Sequence, residues 1–203
     1  MDKPTYHHGD LKSALIAAAM AAVEQDGPDA VSLRDLAQSL GVSRAAPYRH
    51  FEDRDTLLAA VAAKGFEALV VVYETALAGP GDGRQRMRQA LIDYLEFARR
   101  RPGLHELMFE SDFLQRTPPP PVMIGPADRA YRLLWEAVEG AFPGADPVWV
   151  RARAATTLST VVGYRVLDNI GRFKPHMVEG LTPADVLDAV LDAAIGPPPT
   201  RSD

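Results

Sequence analysis

Apolar positions recur at three- and four-residue intervals along this chain, the period of helices that bury one face. The first stripe is Leu11, Ala14, Leu15, Ala18, Ala22 and Val23. It predicts a helix from about Asp10 to Gln25, stopped by Gly27-Pro28. Its many alanines imply close approach by neighbouring helices. A second stripe, Leu33, Leu36, Ala37 and Leu40, follows Ser32, an N-cap candidate with Asp35 three residues on. Gly41 then stands where a left-handed helix end is cheapest for glycine. Val42 can turn back to the core, Ser43 can cap another helix at once, and Phe51 anchors its far end. Two short helices across a tight glycine turn are a helix-turn-helix unit.

Further helices follow. Asp55 can cap a long helix reaching about Leu77, with Leu57, Leu58, Val61, Ala62, Leu69 and Val72 apolar, and Gly79-Pro80-Gly81-Asp82-Gly83 ends it. Residues 84–101 carry Met87, Leu91, Tyr94, Leu95 and Ala98 on one face before Arg99-Arg100-Arg101, cations that complement a helix C-terminus. A short helix near 103–115, an irregular loop at Pro118–Pro121, and helices near 127–142, 147–171 and 183–195 complete the pattern. The expected fold is all-α. A three-helix amino-terminal domain occupies 9–69, with the helix-turn-helix at 32–51. A helical bundle fills 70–196, and the Pro-rich 197–203 is expected to be a disordered tail.

The second short helix is expected to expose Arg44, Ala45, Tyr48, Arg49 and His50. Arginine can grip a guanine edge or a phosphate, tyrosine and histidine can donate to phosphate, and alanine allows close approach to a groove wall. Composition pulls the other way. The net charge is −5, and residues 1–54 hold six Lys/Arg against eight Asp/Glu. Affinity for DNA must therefore rest on local placement of Lys12, Arg34, Arg44, Arg49 and Arg54, which can suffice when a few phosphates are contacted. With no cysteine, no signal-like apolar start and no apolar run near the ~20 residues of a membrane span, a cytoplasmic protein without a membrane partner is expected.

The run Val31-Ser32-Leu33-Arg34-Asp35-Leu36-Ala37, then Gly41-Val42-Ser43, then Tyr48-Arg49-His50-Phe51-Glu52-Asp53-Arg54-Asp55-Thr56-Leu57-Leu58 resembles the TetR family. The resemblance covers about Gly9 to Leu69. It implies an all-helical carboxy-terminal domain, a homodimer, and ligand-controlled release from a palindromic operator, with the long helix after Asp55 as the lever. It further implies phosphate contacts from Ser32, Tyr48, His50 and Arg54, and base or groove-edge roles for Arg34, Arg44, Ala45 and Arg49. One departure matters: Ala46-Pro47 replaces the Thr-Leu or Thr-Ile frequent in that family, which removes a hydroxyl and puts a proline in the helix's first turn.

The bundle carries aromatic and methionine side chains on several helices. Tyr94, Phe97, Met108, Phe109, Tyr131 and Trp135 are the expected apolar lining of an effector site, with His105, Thr157 and Tyr164 as its polar groups; core packing accounts for such stripes equally well. Leu158, Val161 and Val162 on one helix and Leu187, Val190 and Leu191 on the last can build a four-helix interface across a two-fold axis, or seal a monomer's core. No enzyme, metal or cofactor is expected. His105-Glu106-Leu107-Met108-Phe109 lacks the second histidine of a zinc-protease helix, and His7-His8 have no further ligands nearby, so they suit an arm brushing DNA. The reading is thus a repressor that binds double-stranded operator DNA as a homodimer and is released by an apolar small molecule. The alternative is a small-molecule-binding or scaffold protein that keeps the helix-turn-helix shape without using DNA.

Overall fold

Eight α-helices and no strand make up residues 11–111 and 120–197, which the computed structural model describes. The expected arm (Lys3, His7, His8), Phe113, the expected helix beyond Ser111, most of the Pro118–Pro121 loop and the tail from residue 198 lie outside the described residues. The chain divides into two compact units, residues 1–67 with 101–127, and residues 68–100 with 128–203. The first therefore takes in a segment, from 101 onward, that the sequence pattern assigns to the carboxy-terminal part.

In the first unit, α1 (Leu11–Asp26) buries Leu11, Leu15, Ala19 and Val23, one residue per turn. Ala14, Ala18 and Ala22 of the expected stripe are only half-buried, because the strict four-residue run through Ala19 defines the buried edge. A 3-10 turn (Pro28–Ala30) leads to α2 (Leu33–Ser39), whose first turn is capped by the Ser32 hydroxyl accepting from Asp35 N–H at 3.4 Å. The unit also holds the first part of α3 (Arg54–Leu77) and α5 (Pro102–Phe109), which packs on α1. The cap of α3 is Asp53 rather than the expected Asp55. Its carboxylate accepts from Thr56 N–H at 2.7 Å and from the Thr56 hydroxyl at 2.8 Å, and the Thr56 N–H above all holds its pKa below the usual aspartate value.

By length and composition α3 is apolar enough to cross a bilayer, although Lys64 and Glu67 interrupt it; 61% of its apolar window is buried inside the structure, as suits a core helix.

In the second unit, α4 (Gly83–Arg100) buries Met87, Leu91, Tyr94, Leu95 and Ala98 as expected, together with Ala90 and Phe97. Arg99 and Arg100, expected to serve the helix end, both pair with Glu96. α6 runs Pro121–Ala141, six residues earlier than the pattern suggested, with Pro126 inside it; residues 121–127 belong to the first unit and the rest to the second. α7 (Pro147–Asn169) and α8 (Pro183–Ile195) pack together, the latter opened by a reciprocal capping box between Thr182 and Asp185. Arg88 on α4 reaches Asp188 at 2.6 Å and Asp192 at 3.0 Å on α8. Exposed ion pairs are worth about 0–1 kcal/mol each, whereas burying one leucine yields about 1.5–3 kcal/mol, so apolar packing holds this bundle.

Candidate nucleic-acid interface

The turn after α2 is built entirely by backbone. Gly41 adopts φ +67°, its N–H bonds the Gln38 carbonyl at 3.1 Å, and Val42 N–H bonds the Ala37 carbonyl at 3.0 Å. This paired closure ends the helix and points the chain back toward the core. The segment that follows is not the regular helix expected from the pattern. Residues 44–46 form a turn, and Pro47–Arg49 a single 3-10 turn. Proline has no N–H to offer the Ser43 carbonyl, which accepts instead from Ala46 N–H at 2.9 Å. His50 N–H and Phe51 N–H then both close on the Pro47 carbonyl, at 2.9 and 3.0 Å.

This shortened element is anchored from beneath by Pro47 and Phe51, both buried, while Val42 is half-buried. Ala46 is also half-buried, and the remaining side chains point outward. Arg44, Ala45, Tyr48, Arg49 and His50 are exposed, Tyr48 by 55%, and Arg34 is exposed on α2. None of Arg34, Arg44 and Arg49 is ion-paired among the described residues. Such a strip of unpaired guanidinium, phenol and imidazole groups over a rigid apolar footing can meet phosphates and base edges. Sequence reasoning missed Pro47 as an anchor; the signal was a proline inside an otherwise polar stretch.

Arg54 stands apart from that strip. Its guanidinium donates to the Pro28 carbonyl at 2.6 Å and the Val31 carbonyl at 3.1 Å, and pairs with Asp29 at 3.1 Å. It thereby ties the start of α3 to the loop before α2. Ser32, likewise, spends its hydroxyl on the α2 cap.

The residues expected to line an effector site fall into both units. In the first, His105 and Met108 are buried, and Phe109 meets Phe66 edge-on at 5.7 Å; His105 Nδ1 lies 3.1 Å from the Glu110 carboxylate. In the second, Tyr94 stacks on Tyr73 at 6.4 Å with Phe97 buried nearby on α4, and burial raises the Tyr73 pKa. Tyr164 is half-buried against Phe173. Tyr131 and Trp135 are 37% and 42% exposed, and the Thr157 hydroxyl donates to the Ala194 carbonyl at 2.8 Å, fastening α7 to α8. A shallow groove elsewhere in this unit is lined by Thr75, Gly79, Gly81, Gln85, Gln89 and Asp93, none of them foreseen.

Of the six expected interface residues, Val161 and Leu191 are buried within the unit, whereas Leu158, Val162, Leu187 and Val190 are half-buried. Burial of the first pair goes with the packing of α7, α8 and α4 on one another within the unit.

Comparison with known proteins gives a consistent result. The family model for "Bacterial regulatory proteins, tetR family" matches residues 15–61, and that for a "Tetracyclin repressor-like, C-terminal domain" matches residues 87–195. The nucleoid occlusion factors SlmA of Escherichia coli and Klebsiella pneumoniae are 31% identical over 120 residues, 56% of this chain and 61% of theirs. The chain thus spans about three fifths of the length of these curated relatives. Among solved structures, a protein of unknown function from Rhodococcus sp. RHA1 superposes with TM-score 0.77 at 29% identity, covering 95% of this chain and 97% of that one. The TetR family regulator PfmR from Thermus thermophilus shares the fold with TM-score 0.60 at 24% identity, over 90% and 96% of the two chains.

Proposed function

The chain belongs to the TetR family of bacterial transcription regulators and carries its helix-turn-helix DNA-binding domain, and from that premise we propose a homodimeric repressor that an apolar small molecule releases from a palindromic operator. The observation that carries the DNA part is the exposed set Arg44, Ala45, Tyr48, Arg49 and His50 on its Pro47–Phe51 footing. Arg44 and Arg49 reach base edges or flanking phosphates, Tyr48 and His50 donate to phosphate, and Arg34 adds a cation from α2. Arg54 and Ser32 act indirectly, by fixing the frame that presents them. The same reading places the protein in the cytoplasm, on double-stranded operator DNA.

The dimer rests on a face of α7 that keeps Val162 of the expected set and leaves out the buried Val161. Val148, Ala152, Ala155, Ser159, Val162, Val166 and Ile170 follow one another at intervals of four and three, and each is exposed or half-buried. That spacing is a coiled-coil-like seam of small and β-branched residues, able to admit a second helix closely. Val186, Ala189, Val190 and Ala193 extend it on α8. A two-fold dimer built there sets two recognition segments on one duplex, and such pairs read half-sites about one helical turn apart.

The test is fluorescence anisotropy on duplexes tiling the DNA upstream of the protein's own coding sequence, at two salt concentrations, beside a Tyr48→Phe/Arg49→Ala variant. Tight, salt-sensitive binding to one tile that the variant loses is the expected result. Weak binding spread evenly over every tile, with no preferred site in a random-sequence selection, would remove the regulator reading.

A further inference from the structure

One buried charge in the second unit has no ion-pair partner among the described residues, although Asp168 lies one turn further along α7. Arg165 on α7 is 7% exposed, and none of their carboxylates lies within ion-pair range of its guanidinium. One amino group donates to the Ala98 carbonyl at 3.2 Å; its Nε–H is buried and donates to nothing among the described residues.

Part of this placement has a structural cause. In a continuing helix the Ala98 carbonyl would accept from residue 102, but residue 102 is proline and has no N–H. Arg165 fills that vacancy at the end of α4. The cap uses one of five N–H donors, however, and a neutral hydroxyl or amide could make it without bringing a full charge out of water. A guanidinium enclosed this far is costly unless an anion meets it. Capping explains one bond and leaves the charge unexplained.

The surroundings narrow the chemistry. Tyr94 lies one turn before Ala98 on α4 and Val161 one turn before Arg165 on α7, and both are buried. Tyr94 stacks on Tyr73, whose ionisation is opposed first by burial and then by the nearby Tyr131. An apolar, aromatic interior with a single planar fork of donors suits an organic anion: an apolar body with a carboxylate at one end.

We propose that Arg165 anchors the carboxylate of an anionic, apolar effector in the second unit, a proposal that rests on the reading of the protein as a ligand-released regulator. The carboxylate accepts from Nε–H and a neighbouring amino group, and the Tyr73–Tyr94 stack faces the apolar body.

The experiment uses the full chain and four probes: decanoate and benzoate, with decanol and benzyl alcohol as their uncharged counterparts. Calorimetric affinities are measured for the wild type, Arg165→Met and Arg165→Lys, alongside circular dichroism and the melting temperature of each. At least one carboxylate is expected to bind about ten- to a hundredfold more tightly than its alcohol, the worth of a charge-assisted hydrogen bond. Arg165→Met erases that preference, and Arg165→Lys, which keeps the charge without the fork, retains part of it. If the methionine variant does not fold, the lysine variant carries the test, and an undiminished preference there overturns the fork geometry. Equal binding of carboxylate and alcohol, no binding of either carboxylate, or an unchanged preference in Arg165→Met overturns the anchor. Operator anisotropy separates the two readings. A carboxylate that binds through Arg165 but leaves DNA affinity unchanged removes ligand release and keeps the anchor; operator binding without carboxylate binding removes the anchor alone.

Discussion

Gly103 packs its bare α-carbon against the carbonyl oxygen of Val23, and a β-carbon at that position would overlap the α1 backbone. The contact joins α5 to α1 within the first unit. Beside it, the Glu24 carboxylate lies at the start of α5, where the backbone N–H groups of Gly103 and Leu104 favour its charged form against burial. Gly103→Ala is therefore expected to cost about 1–3 kcal/mol, since the obstacle is backbone and cannot rotate away. Urea midpoints for the two proteins check this; an unchanged midpoint would show that α5 can shift without loss.

Glu24 should give this contact a pH dependence opposite to that of most carboxylates. Its pKa is raised, chiefly by burial, against the pull of Arg101 and the two backbone N–H groups, and one of its oxygens is buried without a partner among the described residues. Between the unfolded and folded pKa values the native state holds more protons, so stability falls as pH rises through that window, just above the ordinary 4.5. Asp53 has the reverse sign. Its lowered pKa gives stability that is complete above the ordinary 3.8 and lost as pH falls through the folded value. Chemical denaturation of Glu24→Gln and Asp53→Asn as a function of pH should remove one slope each. Asp53→Ala should also cost about 1 kcal/mol as a lost helix cap.

Arg49 and Arg54 lie five residues apart and should fail differently. Arg49 is exposed and unpaired, so Arg49→Ala is expected to leave the melting temperature unchanged and weaken operator binding, lowering the slope of log affinity against log salt by about one. Arg54 holds the Pro28 and Val31 carbonyls, so Arg54→Ala is expected to lower stability by about 1–3 kcal/mol through the orphaned acceptors. A full-length Arg54→Ala protein with native stability and a reduced salt slope would restore the direct phosphate role that its motif position implies.

The contrast between these arginines marks how far the sequence was legible. Helix identity and the Gly41 turn were readable, because they depend on spacing and on local conformational cost. α8, read near 183–195 from its apolar stripe, spans Pro183–Ile195, and the structure adds the Thr182–Asp185 capping box that opens it. The recognition segment was read as too regular: a helical motif match does not show that Pro47 withholds the N–H that Ser43 would need. Side-chain destinations were least legible. The sequence cannot say that Arg54 turns to three groups 23–26 residues away, that Thr157 fastens to Ala194, or that Arg165 is buried. Those outcomes depend on which faces meet, and periodicity marks only that a face is apolar.

The α7 seam is where that ambiguity can be resolved by experiment. Two faces of this helix are apolar: Val150, Ala154, Thr157 and Val161 point into the unit, whereas Ala152, Ala155, Ser159 and Val166 point away from it. If the outward face joins two copies, Ala155→Glu places a carboxylate at the centre of a closely packed seam, next to its own two-fold mate or to apolar surface. Either is unfavourable, since a buried charge without a partner costs several kcal/mol. Light scattering should then report the 22.1 kDa monomer in place of a dimer. Operator affinity should collapse with it, because a single recognition segment keeps only half the contacts, while the far-ultraviolet dichroism of the helices stays unchanged. Val161→Ala is the control from the inward face. It should cost about 2 kcal/mol of stability as lost apolar burial and leave the oligomeric state intact. A dimer that survives Ala155→Glu but dissociates in Val161→Ala would move the interface to the inward face and require α8 to unpack from α7 when the copies meet.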